Sequence, residues 1–283
     1  AKQILNQVAD DVWCITEINN NLWFGTWGSG LIKYDKKTAN YTQYLSNDES
    51  NSISENTVLT LAKTSDNNLW IGTYGSGLNY FNISNNEFTS FGYNGATNKE
   101  TNNKKIRSIY VDENSDLWIG TDGGGLNHYN SEKQTFIYFT TEQNLPNNVV
   151  YGVVEDKNKN IWLTTNYGLC RYSKEDKSIS NFDYDDGLQN NEFNQGALYF
   201  KNELIYAGGI NGFNVFNPKE VESSTKNTFT LLTSMKVMGK EFNPPIRFLD
   251  SINLNYSSNF LSFQFSYIDY SGKIQYRCKL EGF

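Results

Sequence analysis

Proline is scarce in this chain, with four residues in 283, and histidine and cysteine are scarcer still, with one and three. There are four arginines (Arg107, Arg171, Arg247, Arg277), they are scattered, and the net charge is −7. Gripping nucleic acid takes a stripe of Lys and Arg that neutralises phosphates. Its absence argues against a nucleic-acid partner, and the short stretch Lys104, Lys105, Arg107 reads as one solvated loop. Cys14, Cys170 and Cys278 lie far apart with no Cys-x-x-Cys among them. Cys14 and Cys170 fall inside apolar strand patterns and read as small buried hydrophobes, not as a redox pair. No apolar run approaches the roughly 18 residues of a membrane span, and no signal peptide is visible. The chain opens at Ala1 and stops in a strand-like pattern at Phe283, so it reads as a fragment.

Glycine, asparagine and aromatics are plentiful instead. The 22 glycines suit frequent tight turns, and 15% aromatic residues can fill a core. Four segments align: NNLWFGTWGSGLIKYD, NNLWIGTYGSGLNYFN, SDLWIGTDGGGLNHYN and KNIWLTTNYGLCRYS, with a degenerate fifth, NELIYAGGINGFNVFN. The repeated aromatic is Trp23, Trp70, Trp118 and Trp162, with Ile205 read as its fifth equivalent, at spacings of 47, 48, 44 and 43 residues. Periods in the forties fit one four-stranded propeller blade each. In the second unit, VLTLAKT, NLWIGT, LNYFN and EFTSF predict four strands, separated by Asn/Asp and Gly turns. Nothing in it has a helical period. Gly25, Gly72 and Gly120 follow the Trp by two residues and share its face, where lacking a Cβ lets a neighbouring sheet approach. The expectation is all-β: five four-stranded blades over residues 1–222, part of a larger propeller because an open arc leaves bare faces and an edge. Residues 223–283 are expected to begin an immunoglobulin-like β-sandwich that is cut short. Leu261, Phe263, Phe265 and Tyr267 share one face there, as do Ile274, Tyr276, Cys278 and Leu280, and Asn243-Pro244-Pro245 breaks the chain between strands.

Several patterns imitate chemistry. Asp112, Asn114 and Asp116 match the first ligands of a calcium loop, but Leu117 and Gly123 stand where its Gly and Glu belong. Other blades carry an Asn/Asp turn at the same place. Gly123-Gly124-Gly125 joins two strands and lacks the Lys-Ser/Thr and helix of a phosphate loop. His128 has no partners at metal or relay spacing and reads as a blade residue. Asp185, Asp186 and Glu192 are candidate acids for glycoside cleavage, yet no pair at a defined separation can be placed. No catalytic residue, metal or cofactor is expected.

One position varies while the blade around it stays constant. Directly after Gly-Thr, or Thr-Thr in the fourth unit, come Trp27, Tyr74, Asp122 and Asn166, on the loop joining second and third strands at one rim. Aromatic faces with amides and carboxylates suit a carbohydrate, though exposed loop positions also vary freely. The long polar connections Ser46–Asn56 and Gly92–Lys105 are expected to open at the same rim, with Tyr93 and Arg107 as further candidates.

The repeat LWIGTYGSGLNYF resembles the two-component regulator propeller repeat. SINLNYSSNFLSFQFSYIDY and YRCKLEGF resemble the Tyr-Tyr-Tyr domain that follows such propellers, and NEFNQGALYF with IYAGGINGFNVFNP resembles the last blade. Ile205 at the blade Trp, Thr164 at the blade glycine and Cys278 at an aromatic position depart from the family pattern. The resemblance implies the periplasmic part of an inner-membrane hybrid histidine kinase of Bacteroidetes type. It also implies oligosaccharide sensing, and homodimerisation through the sandwich and kinase, with the membrane segment and the kinase outside this chain. A secreted propeller enzyme acting on glycans (lyase or hydrolase) and a propeller interaction scaffold remain as alternatives.

Overall fold

The computed structural model describes residues 11–47, 51–93, 97–221, 231–242 and 252–266. The chain divides into two compact units, Ala1–Glu222 and Ser223–Phe283. In the first, the alternating apolar patterns form antiparallel meanders, each strand pairing with the next in sequence. Blade 1 holds β1 Val12–Ile18, β2 Asn21–Thr26, β3 Leu31–Asp35 and β4 Tyr41–Tyr44. Blade 2 holds β5 Val58–Lys63, β6 Leu69–Thr73, β7 Leu78–Asn82 and β8 Glu87–Phe91. Blade 3 holds β9 Ile106–Val111, β10 Leu117–Thr121, β11 Leu126–Asn130 and β12 Thr135–Phe139. Blade 4 holds β13 Val150–Glu155, β14 Ile161–Thr165, β15 Gly168–Tyr172 and β16 Ile179–Phe182. Blade 5 holds β17 Phe193–Lys201, β18 Leu204–Gly209 and β19 Gly212–Phe216. Successive first strands β1, β5, β9, β13 and β17 neighbour one another, the arrangement of a propeller.

The recurring Trp sits between blades. The rings of Trp23, Trp70, Trp118 and Trp162 lie 5.8, 5.9, 5.5 and 5.2 Å from Phe81, Tyr129, Tyr172 and Phe216. Each of those rings is the last or next-to-last residue of the third strand of the following blade. The glycine two residues on admits that blade's first strand. A Cβ on Gly25 would meet Val58 Cγ1 at 2.6 Å, one on Gly72 Ile106 Cγ2 at 2.6 Å, and one on Gly120 Val150 Cγ1 at 2.8 Å. Such distances leave no room for a methyl group.

Thr164 departs from this pattern without loosening the seam. It is fully buried opposite Gly152 of β13, where an added Cβ would meet Thr164 Oγ1 at 2.8 Å and Leu198 Cβ at 2.7 Å. The vacant volume has moved one strand inward.

Blade 5 corrects two expectations. It has three strands among the described residues, not four. After Phe216, Pro218 offers no N–H to a ladder, and Glu220 donates its N–H to the Asn217 carbonyl in a turn. The Trp-equivalent position is also Tyr206 and not Ile205. Tyr206 pairs with Val215 as Trp70 pairs with Tyr80, while Ile205 pairs with Phe216 as Leu69 pairs with Phe81. Ile205 therefore faces blade 4 and is fully buried, whereas Tyr206 is on the opposite face and 37% exposed, beside Tyr199 and Val215.

The turn between first and second strands explains the calcium-like spacing. The Asp112 carboxylate accepts the backbone N–H groups of Asn114 and Asp116, the Trp118 indole N–H and the Lys174 ammonium. Asp156 does the same for Asn158, Asn160 and Trp162 in blade 4. His128 stacks on Trp118 with centroids 4.1 Å apart, and burial lowers its pKa, so it is a neutral packing residue of blade 3. Burial pushes the Cys14 thiol up to about 12 and the Cys170 thiol higher still, which removes both as nucleophiles at neutral pH.

In the second unit, β20 Leu231–Val237 pairs antiparallel with β21 Lys240–Glu241 and β22 Leu261–Ser266. Phe263 and Phe265 share a face of β22, 6.3 Å apart. The expected break at Asn243-Pro244-Pro245, Tyr267 and the face of Ile274, Tyr276, Cys278 and Leu280 lie outside the described residues.

Trp162→Ala is expected to lower the unfolding free energy by about 3–5 kcal/mol in urea denaturation. Gly152→Ala should cost about 1–3 kcal/mol through overpacking, and adding Thr164→Gly should recover part of it.

Candidate ligand site at the propeller rim

Each blade brings three backbone positions to the same rim, and the backbone sets all three. The first is the residue after Gly-Thr. Its N–H reaches back to the carbonyl of the residue just before or near the start of the first strand. Trp27 bonds Asp11, Tyr74 bonds Thr57, Asp122 bonds Lys105, Asn166 bonds Val149 and Ile210 bonds Glu192. Those carbonyl residues are the second position, which places Lys105 beside Asp122. The third is a bulge. The register between first and second strands slips between Val12 and Cys14, Val58 and Thr60, Ile106 and Ser108, Val150 and Gly152, and Phe193 and Leu198. The skipped residues are Trp13, Leu59, Arg107, Tyr151 and, in the longer slip, the segment holding Gln195. A bulge re-aims its side chain, and four of these five side chains join the rim.

The result is one continuous run of contacts over five blades. Trp13 lies 5.2 Å from Trp27 between ring centroids, and Trp27 lies 5.1 Å edge-on from Tyr74. The Lys105 ammonium stands 4.2 Å over the Tyr74 ring. Lys105 and Arg107 both bond the same oxygen of Asp122, at 2.6 and 2.8 Å. Arg107 also donates through Nη1 to the Gln195 side chain of blade 5, and Gln195 returns a bond to the Arg107 carbonyl. The guanidinium lies 5.6 Å from the Tyr151 ring, whose hydroxyl donates to Asn166 Oδ1 at 2.9 Å.

The aromatic end is open, with Trp13, Trp27 and Tyr74 exposed by 46%, 43% and 39%. The ionic end is sheltered, and Lys105, Arg107 and Asp122 each keep about a fifth of their side-chain surface. Burial would raise the Asp122 carboxyl, but the hydrogen bonds and charges of Lys105 and Arg107 outweigh it and hold it below the usual carboxylate range. The bond to Asp122 correspondingly raises the Lys105 ammonium.

The four positions after Gly-Thr, together with Arg107, thus come together. Tyr93 follows outer strand β8 and packs beside Gly77 of the same rim loop, outside the run of contacts just described. The described parts of both long connections end at this rim, where Asn56 and Lys104 accept the N–H groups of Gly30 and Gly77. Sequence reasoning missed Trp13, Lys105, Tyr151 and Gln195. A signal existed for the bulge, because Leu59, Arg107 and Tyr151 all lie 11 residues before the blade Trp. Of the candidate acids, Asp186 takes part in capping the short 3-10 turn Tyr184–Asp186, accepting the Asp183 N–H.

A family model described as two component regulator propeller matches residues 52–75, 100–123 and 144–167. Each match runs from the connection before the first strand to the rim loop after the second strand, in blades 2, 3 and 4. These are two-component regulator propeller repeats. The chain is 32% identical over 265 residues to histidine kinase P4 of Formosa agariphila, covering 89% of this chain and 19% of that protein. It also resembles the extracellular domain of the hybrid two-component system BT3049 of B. thetaiotaomicron, at 26% identity and TM-score 0.68. That match covers 92% of this chain and 36% of the other. The extracellular domain of BT4673 from the same organism, at 24% identity and TM-score 0.56 over 90% of this chain and 34% of that one, shares the fold. The chain therefore spans about a fifth of the kinase and about a third of the extracellular domains. No helix among the described residues is long and apolar enough to cross a membrane.

Asp122→Asn is expected to cost about 1–3 kcal/mol at pH 7, by withdrawing a charged acceptor from two cations. Because the folded carboxyl titrates below its unfolded value, its contribution is complete above about pH 4 and fades as pH falls through the folded value. Urea curves of the two proteins should converge as pH falls through the folded value.

Proposed function

We propose that this chain is the extracytoplasmic ligand-sensing part of a hybrid two-component sensor kinase, and that the ligand is an oligosaccharide held at the propeller rim. The observation that supports it most is the rim itself. The position after Gly-Thr, which changes chemistry from blade to blade, is gathered with the bulge residues into a single run of exposed rings followed by hydrogen-bonding side chains. Exposed aromatic faces offer a stacking surface for the apolar face of a sugar, and adjacent polar groups fix its hydroxyls. The similarity to histidine kinase P4 and to the extracellular domain of BT3049 supports the sensor assignment and the extracytoplasmic side.

The membrane-proximal sandwich carries the signal in this reading, with two copies paired through it and through the kinase. A ligand changes the kinase only by binding two arrangements unequally. The rim is suited to that because blades 3, 4 and 5 meet within one cluster around Arg107, Tyr151 and Gln195.

The test is titration of the intact sensor with a panel of glycan-derived oligosaccharides, followed by tryptophan fluorescence and calorimetry. Replacing Trp27 and Tyr74 together by Ala should weaken the binding member at least about tenfold, as loss of central aromatic anchors does. Unchanged affinity would remove the rim from the proposal.

A further inference from the structure

The rim carries more than a neutral sugar requires. Lys105 and Arg107 place two permanent cations side by side and share a single oxygen of one carboxylate, Asp122. A guanidinium and an ammonium together present eight N–H donors. Among the described residues, the acceptors in contact with them are Asp122, Gln195 and Tyr74. The buried Nε of Arg107 has no acceptor. That donor is closed to a ligand, but two cations that share one carboxylate oxygen leave outward N–H groups best completed by a second anion. Burial raises the Tyr151 hydroxyl, and the charges of Glu192 and Asp122 add to it against that of Arg107, so the Glu192 carboxylate of blade 5 is felt at the Tyr151 end. That carboxylate repels an anion from the Tyr151 end, so an anion's place is the Lys105 end. There the aromatic surface arrives: Trp27 touches Tyr74, and Tyr74 lies under Lys105.

From this juxtaposition we propose that the rim selects an acidic saccharide, with a ring stacked at Trp27 and an anionic substituent bonded by Lys105 and the free donors of Arg107. The proposal rests on the rim being the saccharide site and adds its charge class. Carboxylate and sulfate present the same chemistry to these donors, and the measurement separates them.

The probes are oligomers of glucuronate, galacturonate and mannuronate, their carboxyl-reduced neutral counterparts, and sulfated neutral oligomers, titrated into the intact sensor. At least one acidic member should bind about tenfold or more tightly than its neutral counterpart, consistent with one charge-assisted pair. That preference should shrink as salt rises. Preference for a uronate over a sulfated oligomer, or the reverse, names the anion. Lys105→Met should abolish the preference, and Lys105→Arg should restore it, with Arg107→Met as the second removal. Equal binding of acidic and neutral members, no acidic binder in the panel, or a preference that survives loss of both cations would overturn the inference. A Trp27→Ala and Tyr74→Ala variant tells the two readings apart. If it loses all binding while charge preference is absent, the rim site stands and the acidic selectivity falls. If it binds like the parent, the rim site itself falls.

Discussion

The seam between blades is the contact on which the rest of the propeller depends. A blade is a four-stranded sheet with two apolar faces, and neither can be left to water without losing the main driving force for folding. The chain solves this with one large and one absent side chain on the same strand face. The Trp spans to the third strand of the next blade, and the glycine two residues later lets that blade's first strand come within van der Waals contact. Both are needed together, because a bulky ring opens a wedge that only close approach elsewhere can shut. The exchange at Gly152 and Thr164 shows that what is held fixed is the summed volume in the seam. The residue type at a given position is free to change if its cross-strand partner compensates.

This is why the propeller was legible in the sequence and why particular residues were not. Trp, Gly and their period are local features that survive alignment by eye. Register is not local. NELIYAGG aligns with NNLWFGT almost equally well at Ile205 or Tyr206, and a strand's period of two makes a one-residue slip exchange its faces completely. Only the pairing of Ile205 with Phe216 decides it. The same blindness hid the bulges. A bulge leaves no composition signature, so nothing singled out Trp13, Tyr151 and Gln195, while Arg107 stood out by its charge. The positions after Gly-Thr were visible because they are counted from the fixed Trp.

The constant seam and the variable rim are two consequences of one construction. Side chains in the seam touch the next blade and are bound to its volume. Those after Gly-Thr are placed by a backbone N–H bond to the carbonyl before the first strand, a bond indifferent to side-chain identity. Trp27, Tyr74, Asp122 and Asn166 can therefore differ in chemistry at positions whose spacing the frame sets. A surface with rigid placement and free chemistry is what recognition of an extended, polar ligand calls for, since preorganised groups bind with less loss of conformational freedom.

The bond between Arg107 and Gln195 adds a mechanical element. It joins the first strands of blades 3 and 5 across blade 4, through two side chains that also belong to the ionic cluster with Lys105 and Asp122. Any opening or closing between these blades must stretch or rearrange that link. A ligand that competes for the Arg107 donors, or that braces them, binds the two arrangements with different affinity, and this difference is the only means by which occupancy can bias a conformational equilibrium. Recognition and response need not be separate sites joined by a pathway. At this rim the groups suited to hold a ligand are the groups that hold the blades to one another.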